Sequence, residues 1–305
     1  MAEAFRFLVT GEGGQVGEAL RLTLAPLGEV VIPTLAEWDL TDLEATRRMV
    51  REVRPRWVVN AAAHTAVDKA ESEPELAFAI NATAPGVLAE EARKIGAAMV
   101  HYSTDYIFDG AGTNAYVESD PPNPLNVYGR SKLGGELAVS ASGAAYFTFR
   151  TSWVYGATGN NFVRSILRLA REREHLRIVA DQHGAPTWSF ELARLTADVI
   201  GQVERIAGKN ECSLSEAAMP LRGVYHATGS GETTWYGFAT QAIAEWQKRE
   251  PGAKLATVEP IPTTEYPTPA KRPMNSRLDC GKLERTFGWR MPEWSESLAT
   301  VVGLL

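Results

Sequence analysis

Cysteine is scarce. The 305-residue chain carries two, Cys212 and Cys280, in unrelated local contexts. Neither belongs to a CxxC pair and no zinc-ligand spacing is present, so neither a disulfide framework nor a zinc module is expected, and a reducing, cytoplasmic compartment fits best. Long apolar runs are missing as well. No window approaches about 18 consecutive apolar residues, so no spanning helix is expected and a membrane is not among the expected partners. No basic segment with a cleavable apolar stretch precedes the apolar run at 5–9. Positive charge is not in excess: 31 Lys and Arg stand against 37 Asp and Glu, a formal net charge of -6. That speaks against nonspecific nucleic-acid binding, while leaving room for a local basic pocket. There is no internal repeat and no low-complexity tract.

What is present is ordinary for a globular protein: 45% apolar and 22% charged residues, 26 Gly and 17 Pro. At roughly 150 residues per domain the length suggests two domains or one large one. It suffices to bury a core without covalent staples. The first half alternates short apolar runs at 5–9, 29–32, 57–60, 97–102 and 146–149 with helical patterns at 15–24, 43–53 and 84–94. Such alternation predicts an α/β fold, with a parallel sheet covered on both faces and ligands outside the carboxyl ends of its strands. The second half is less regular. Helices are expected at 161–173, 191–206 and 234–248, a strand at 223–226 and a polar surface loop at 209–220. The stretch 259–273 holds five prolines, so it is neither helix nor central strand.

The run Thr10-Gly-Glu-Gly-Gly-Gln-Val-Gly17 follows the first strand and opens the first helix. Gly11, Gly14 and Gly17 are spaced three apart, as in short-chain dehydrogenases. Small residues there let the backbone approach a pyrophosphate at the positive end of a helix. A glycine-rich tight turn is the plainer reading. Glu12 is expected to point to solvent. Thr34 stands where an acid selecting NAD would sit, which leans toward NADPH, although no Arg lies beside it. Asp39 and Leu40 are placed to meet adenine. Asp39 or Thr41 could instead cap the helix that begins near Leu43, with Thr41 the favoured cap.

Tyr128-Gly-Arg-Ser-Lys132 puts Tyr and Lys four apart, on one face of a helix. A free tyrosine, with a pKa of about 10, exchanges protons poorly near neutrality. A nearby ammonium and an oxidised nicotinamide would lower it, so that Tyr128 could protonate a carbonyl oxygen as hydride reaches its carbon. Thr104, at the end of the fourth strand in Ser103-Thr104-Asp105, could polarise the same oxygen. A solvated helix pair and a turn are the plainer readings of these two motifs.

Together these residues resemble the extended short-chain dehydrogenases that act on nucleotide-sugars, and within them the dTDP-4-dehydrorhamnose reductase (RmlD) family. Similar stretches run nearly end to end: 14–17, 59–74, 101–108, 124–132, 150–155, 159–162, 181–187, 266–273 and 275–279. The resemblance implies a Rossmann-like doubly wound parallel sheet with a smaller C-terminal α/β substrate-binding domain. The NADP(H)-binding part would span 1–150, joined by about 188–226, and 151–187 with 227–305 would hold the nucleotide-sugar. It implies reduction of the 4-keto group of dTDP-4-dehydro-β-L-rhamnose to dTDP-L-rhamnose with NADPH or NADH, the last step in making that sugar nucleotide.

By the same resemblance Tyr128 is the proton donor, Lys132 its partner and Thr104 the polarising hydroxyl. Gly11, Gly14, Gln15 and Val16 form the pyrophosphate loop, and Asp39 and Leu40 the adenosine contact. Ala63, His64, Thr65 and Tyr102 are further cofactor contacts, as are Tyr128 and Lys132. Thr104, Asp105 and Trp153 line the sugar site. Arg272, in a proline-rich segment that becomes an ordered wall of that site, is expected to hold the diphosphate. The family admits a homodimer and a Mg2+ ion, neither readable from these residues, and no metal ligands are assigned. A 4,6-dehydratase would need an added acid where Tyr106 stands. An epimerase and a noncatalytic NADP-binding regulatory subunit are the competing readings.

Overall fold

The computed structural model describes residues 5–305. Its centre is a six-stranded, all-parallel sheet. Five strands come from the first half: β1 (Arg6–Thr10), β2 (Glu29–Val31), β3 (Trp57–Asn60), β4 (Ala98–Thr104) and β5 (Ala145–Thr151). The sixth is Gly223–His226, and the spatial order is Gly223–His226, β5, β4, β3, β1, β2. Every neighbouring pair is parallel. The chain winds outward from β1 to β2, then returns past β1 to β3 and continues the other way. The crevice of such a sheet opens where that reversal occurs, between the carboxyl ends of β1 and β3.

The inner strands β3, β4 and β5 are buried along their whole length, as a sheet covered by helices demands. Helices Gln15–Leu24 and Ser189–Asn210 cover one face through Leu20, Leu24, Leu192 and Val199. Helices Leu43–Val53, Ala84–Lys94 and Val127–Ala141 cover the other through Val50, Leu88 and Val139. Between β1, β3 and β4 a short chain of buried polar side chains is hydrogen-bonded. Thr10 Oγ1 donates to Asn60 Oδ1 at 2.6 Å, and the Asn60 amide meets His101 Nδ1 at 3.0 Å.

Glu91 is another buried polar group on the second face. It is held by Arg51 (2.7 Å), Lys94 (2.7 Å) and Arg47 (3.2 Å). Hydrogen bonding from Arg51, against the opposing effect of burial, pulls its pKa down to about 2. The cap of Leu43–Val53 differs from expectation. Asp42, not Thr41, accepts from the Ala45 amide at 2.9 Å, while the Asp39 carboxylate takes the Thr41 amide and hydroxyl. Asp42 directly precedes the first helical residue and so reaches the third helical amide, as an N-cap does.

In the second half, Phe162–Glu172, Trp235–Arg249 and Trp294–Leu304 close around Tyr155 and Phe238. The proline-rich stretch overlaps a strand, Thr257–Ile261, but only in a two-stranded parallel pair with His175–Val179. One expectation fails here. The supposed surface loop at 209–220 contains helix Leu214–Ala218, closed by a Ser213–Glu216 capping box. Its Leu214, Ala217 and Ala218 enter the sheet's core, so a polar average concealed three apolar anchors. Helix Gly281–Phe287, assigned by sequence to the sugar-binding part, also packs Leu283 and Phe287 into that core.

Candidate active site

A cavity of about 810 Å³ opens at the carboxyl ends of β1, β3, β4 and β5. Its floor at β1 is the glycine loop. Gly11 has φ +88°, and a side chain there would strike the backbone at Ala61 and Ala62. A Cβ on Gly17 would overlap the Gly11 carbonyl oxygen. The loop therefore folds onto itself only with glycine at these places, and this is a cradle that an added methyl would fill. Gly14 is the N-cap of Gln15–Leu24 and has no side chain to occupy the first helical amides. Those amides and the helix dipole suit a pyrophosphate. Glu12 is exposed, with Arg21 3.8 Å away. Gln15 Oε1 accepts from Asn161 Nδ2 at 3.1 Å, tying the loop to the second half of the chain.

Leu35, Trp38, Asp39 and Leu40 line the far end of the cavity. Thr34 is turned toward Glu37, whose carboxylate takes its amide (2.8 Å) and hydroxyl (2.9 Å). Ala63 and Thr65, after β3, also line the cavity. His64 lies between them, but its ring turns away to Glu73, 3.3 Å from Nε2. Its backbone is clamped by Asn81, which accepts from the His64 amide at 2.8 Å and donates to its carbonyl at 3.1 Å. Asn81 also donates to Ser131 Oγ at 2.9 Å, on the helix of Tyr128. Sequence reasoning missed Asn81. The available signal was a buried-type polar residue inside a helical pattern, here a π-helical turn at Ala79–Thr83.

Tyr128, Lys132, Thr104, Asp105 and the backbone at Tyr102 meet in the same cavity. Asn126 caps the helix Val127–Ala141 and binds the Lys271 carbonyl at 2.8 Å, anchoring the proline-rich segment nearby. Thr104 Oγ1 donates to Asp105 Oδ1 at 2.9 Å and accepts from the Tyr106 amide at 3.2 Å. Lys132 Nζ donates to the Tyr102 carbonyl at 2.6 Å. The Tyr102 hydroxyl meets Thr196 at 2.5 Å, so its phenol serves the core and its main chain the site.

The electrostatics differ from expectation. Burial pushes Tyr128 up to about 12, with a hydrogen bond from Thr104 opposing it and the charge of Asp105 reinforcing it. Lys132 is not among the groups that lower it. Burial instead brings Lys132 down to about 8, against the pull of Glu136. Asp105 is raised to about 6, again by burial, with hydrogen bonds from Ser276 and Thr104 opposing.

Trp153 lines the cavity and stacks on Trp235, with ring centroids 3.8 Å apart. Arg272 is not among the residues that line the cavity. Its guanidinium pairs with Asp68 at 2.9 Å and sits beside Tyr106, whose ring forms the cavity wall there. Its Nη2 donates to Asp68, 204 residues away in sequence, while its Nη1 is buried without a hydrogen-bond partner among the described residues.

The sheet order, the glycine cradle and the Thr104, Tyr128 and Lys132 cluster define a dinucleotide-binding enzyme fold of the short-chain dehydrogenase type. A family model described as the RmlD substrate binding domain matches residues 5–305, so the chain belongs to that family. The dTDP-4-dehydrorhamnose reductase of Burkholderia thailandensis is 46% identical over 97% of this chain and 98% of its own length. The enzyme of that name from Escherichia coli K12 is 45% identical over 94% and 93%. Among solved structures, a dTDP-4-dehydrorhamnose reductase from Clostridium acetobutylicum superposes with a TM-score of 0.87 at 37% identity, covering 98% of this chain and 99% of its own. One from Bacillus anthracis, in complex with NADP, also gives 0.87, at 33% identity and 98% coverage of both chains.

Proposed function

We propose that the protein is an NAD(P)H-dependent oxidoreductase that reduces dTDP-4-dehydro-β-L-rhamnose to dTDP-L-rhamnose. The observation that carries this reading is the meeting of Thr104, Tyr128 and Lys132 in one cavity with the glycine cradle. A bound nicotinamide supplies the hydride. Tyr128, kept protonated by its raised pKa, holds a proton at its phenol oxygen throughout the neutral range and gives it to the sugar's carbonyl oxygen. The Thr104 hydroxyl beside it, turning its proton from Asp105 to the sugar, would polarise that oxygen. Lys132, four residues further along the same helix and pinned by the Tyr102 carbonyl, would supply positive charge to offset the phenolate that proton transfer leaves.

Gly11, Gly14, Gln15 and Val16 would hold the pyrophosphate, Asp39 and Leu40 the adenosine, and Ala63 and Thr65 the cover after β3. His64 contributes through its backbone, set by Asn81. Asp105 and Trp153 would meet the sugar. Thr34 in place of an acid after β2 favours NADPH, and the Asp39 carboxylate at the adenosine end keeps NADH usable. Both cysteines are free thiols, which supports a reducing, cytoplasmic setting. No helix among the described residues is long and apolar enough to cross a membrane. The two functional parts interleave: Ser189–Asn210, Leu214–Ala218, Gly223–His226 and Gly281–Phe287 belong with the cofactor sheet, and the remaining segments after 151 with the sugar.

The test mixes the protein with dTDP-4-keto-6-deoxyglucose, the 3,5-epimerase that prepares its substrate, and NADPH. Steady loss of NADPH absorbance is expected. No oxidation above a control lacking the protein overturns the reading.

A further inference from the structure

Trp153 follows β5 in an unusual conformation. Its φ is +48°, in the left-handed region that a bulky side chain seldom enters. Strain of this kind persists only where the surroundings impose it, and it gathers at ligand sites. Three contacts impose it here. The Trp153 carbonyl accepts from the Thr187 amide at 3.3 Å. Gly184 leaves the space into which the indole lies: a Cβ there would come within 2.7 Å of Trp153 Cε2. The indole is also stacked on Trp235, with planes 15° apart.

One short ladder sets both neighbours. His183–Gly184 pairs antiparallel with Thr233–Thr234, placing Thr233 opposite Gly184. Thr234 then caps the helix that begins with Trp235, accepting from the Gly237 amide at 3.1 Å. Phe162 packs against the Trp235 ring, 4.7 Å between centroids. Trp153 and Trp235 both line the cavity that holds Thr104 and Tyr128.

We infer that Trp235 is a positioning residue of the sugar subsite. With Gly184 it holds the Trp153 indole in place before substrate arrives, and the paired rings form one apolar wall that prefers a 6-deoxyhexose. This rests on the reductase reading. A methyl group packs on such a wall, whereas a hydroxymethyl group loses water there without gaining a partner. An apolar pocket rejects an added hydroxyl only modestly, on the order of tenfold to a hundredfold.

The test compares Trp235→Ala, Trp235→Phe and Gly184→Ala with the wild type. The stacked indoles should give an exciton couplet in circular dichroism, which Trp235→Ala and Trp235→Phe should abolish. Trp235→Ala should raise the sugar KM about tenfold and lose the preference for the 6-deoxy over the 6-hydroxy dTDP-sugar, with NADPH affinity within twofold. Trp235→Phe should recover the sugar KM to within threefold. Gly184→Ala, which displaces Trp153 directly, should match Trp235→Ala. An unchanged sugar KM in Trp235→Ala despite loss of the couplet overturns the inference, as does an equal loss of sugar and NADPH affinity. Wild-type turnover separates the two readings. If it is present and Trp235→Ala is unaffected, only this inference falls. If it is absent, calorimetric binding of dTDP-L-rhamnose by wild type and Trp235→Ala decides, and equal or absent binding overturns the inference too.

Discussion

The ammonium of Lys132 is held by the main-chain carbonyl of Tyr102, 2.6 Å away, while Tyr128, four residues back on the same helix, has Thr104 as its polar neighbour. The charge that would stabilise a phenolate is thus fixed to β4 independently of the tyrosine. Burial brings Lys132 to about 8. Its ammonium is present below that pH and lost above it. The pH profile of kcat/KM for reduction should therefore fall above about pH 8. A profile flat to pH 10 would show that Lys132 stays charged in the working enzyme.

Tyr128→Phe removes the proton donor and leaves the ring. Turnover should fall by about 10²–10⁴-fold, the usual worth of a general acid. NADPH affinity, measured by fluorescence titration, should stay within a few-fold. Full activity would remove Tyr128 from the proton-transfer step.

Gly17→Ala places a methyl against the Gly11 carbonyl oxygen. The loop must open to admit it. Overpacking of this kind costs about 1–3 kcal/mol. The expected readouts are a lower Tm and an NADPH Kd raised at least tenfold. Unchanged affinity would show that the loop's self-contact is unrelated to cofactor binding.

Glu91 links stability to acid. Its pKa is depressed to about 2 in the folded protein, against an ordinary value of 4.5. Its contribution is therefore complete above about pH 4.5 and fades as pH falls toward 2. Glu91→Gln should destabilise the protein by about 2 kcal/mol at pH 7, the scale of hydrogen bonds to charged groups. The gap from wild type in urea unfolding should narrow at pH 3. A gap equal at both pH values would assign the loss to packing alone.

Much of the fold was legible because helix periodicity is local. Helices Gln15–Leu24, Leu43–Val53 and Ala84–Lys94 have the ends that the sequence indicates. β4 and β5 run further than their apolar residues do, through Ser103 and Thr104 and through Arg150 and Thr151. The ladder continues past the point where hydrophobicity stops. Arg150 can lie buried there because Glu136 meets it at 2.7 Å. Thr104, Tyr128 and Lys132 were legible because each sits at a recognisable offset from a strand or helix. Asn81, Trp235 and the Asp68 partner of Arg272 were not, since each acts through a neighbour remote in sequence. The pKa directions were also hidden, because burial, which dominates Tyr128 and Lys132, is a property of the assembled fold.

The outer edge of β5 is covered by Gly223–His226, a strand that follows it by about 70 residues. During synthesis the first five strands therefore emerge with one apolar edge bare. At the usual elongation speed the interval lasts about 4–15 s. Throughout it, β5 offers unpaired amides and carbonyls to any other extended chain. A nascent chain or fragment ending near residue 150 is thus a template for mispairing, and β5 is covered once Gly223–His226 has emerged and paired with it.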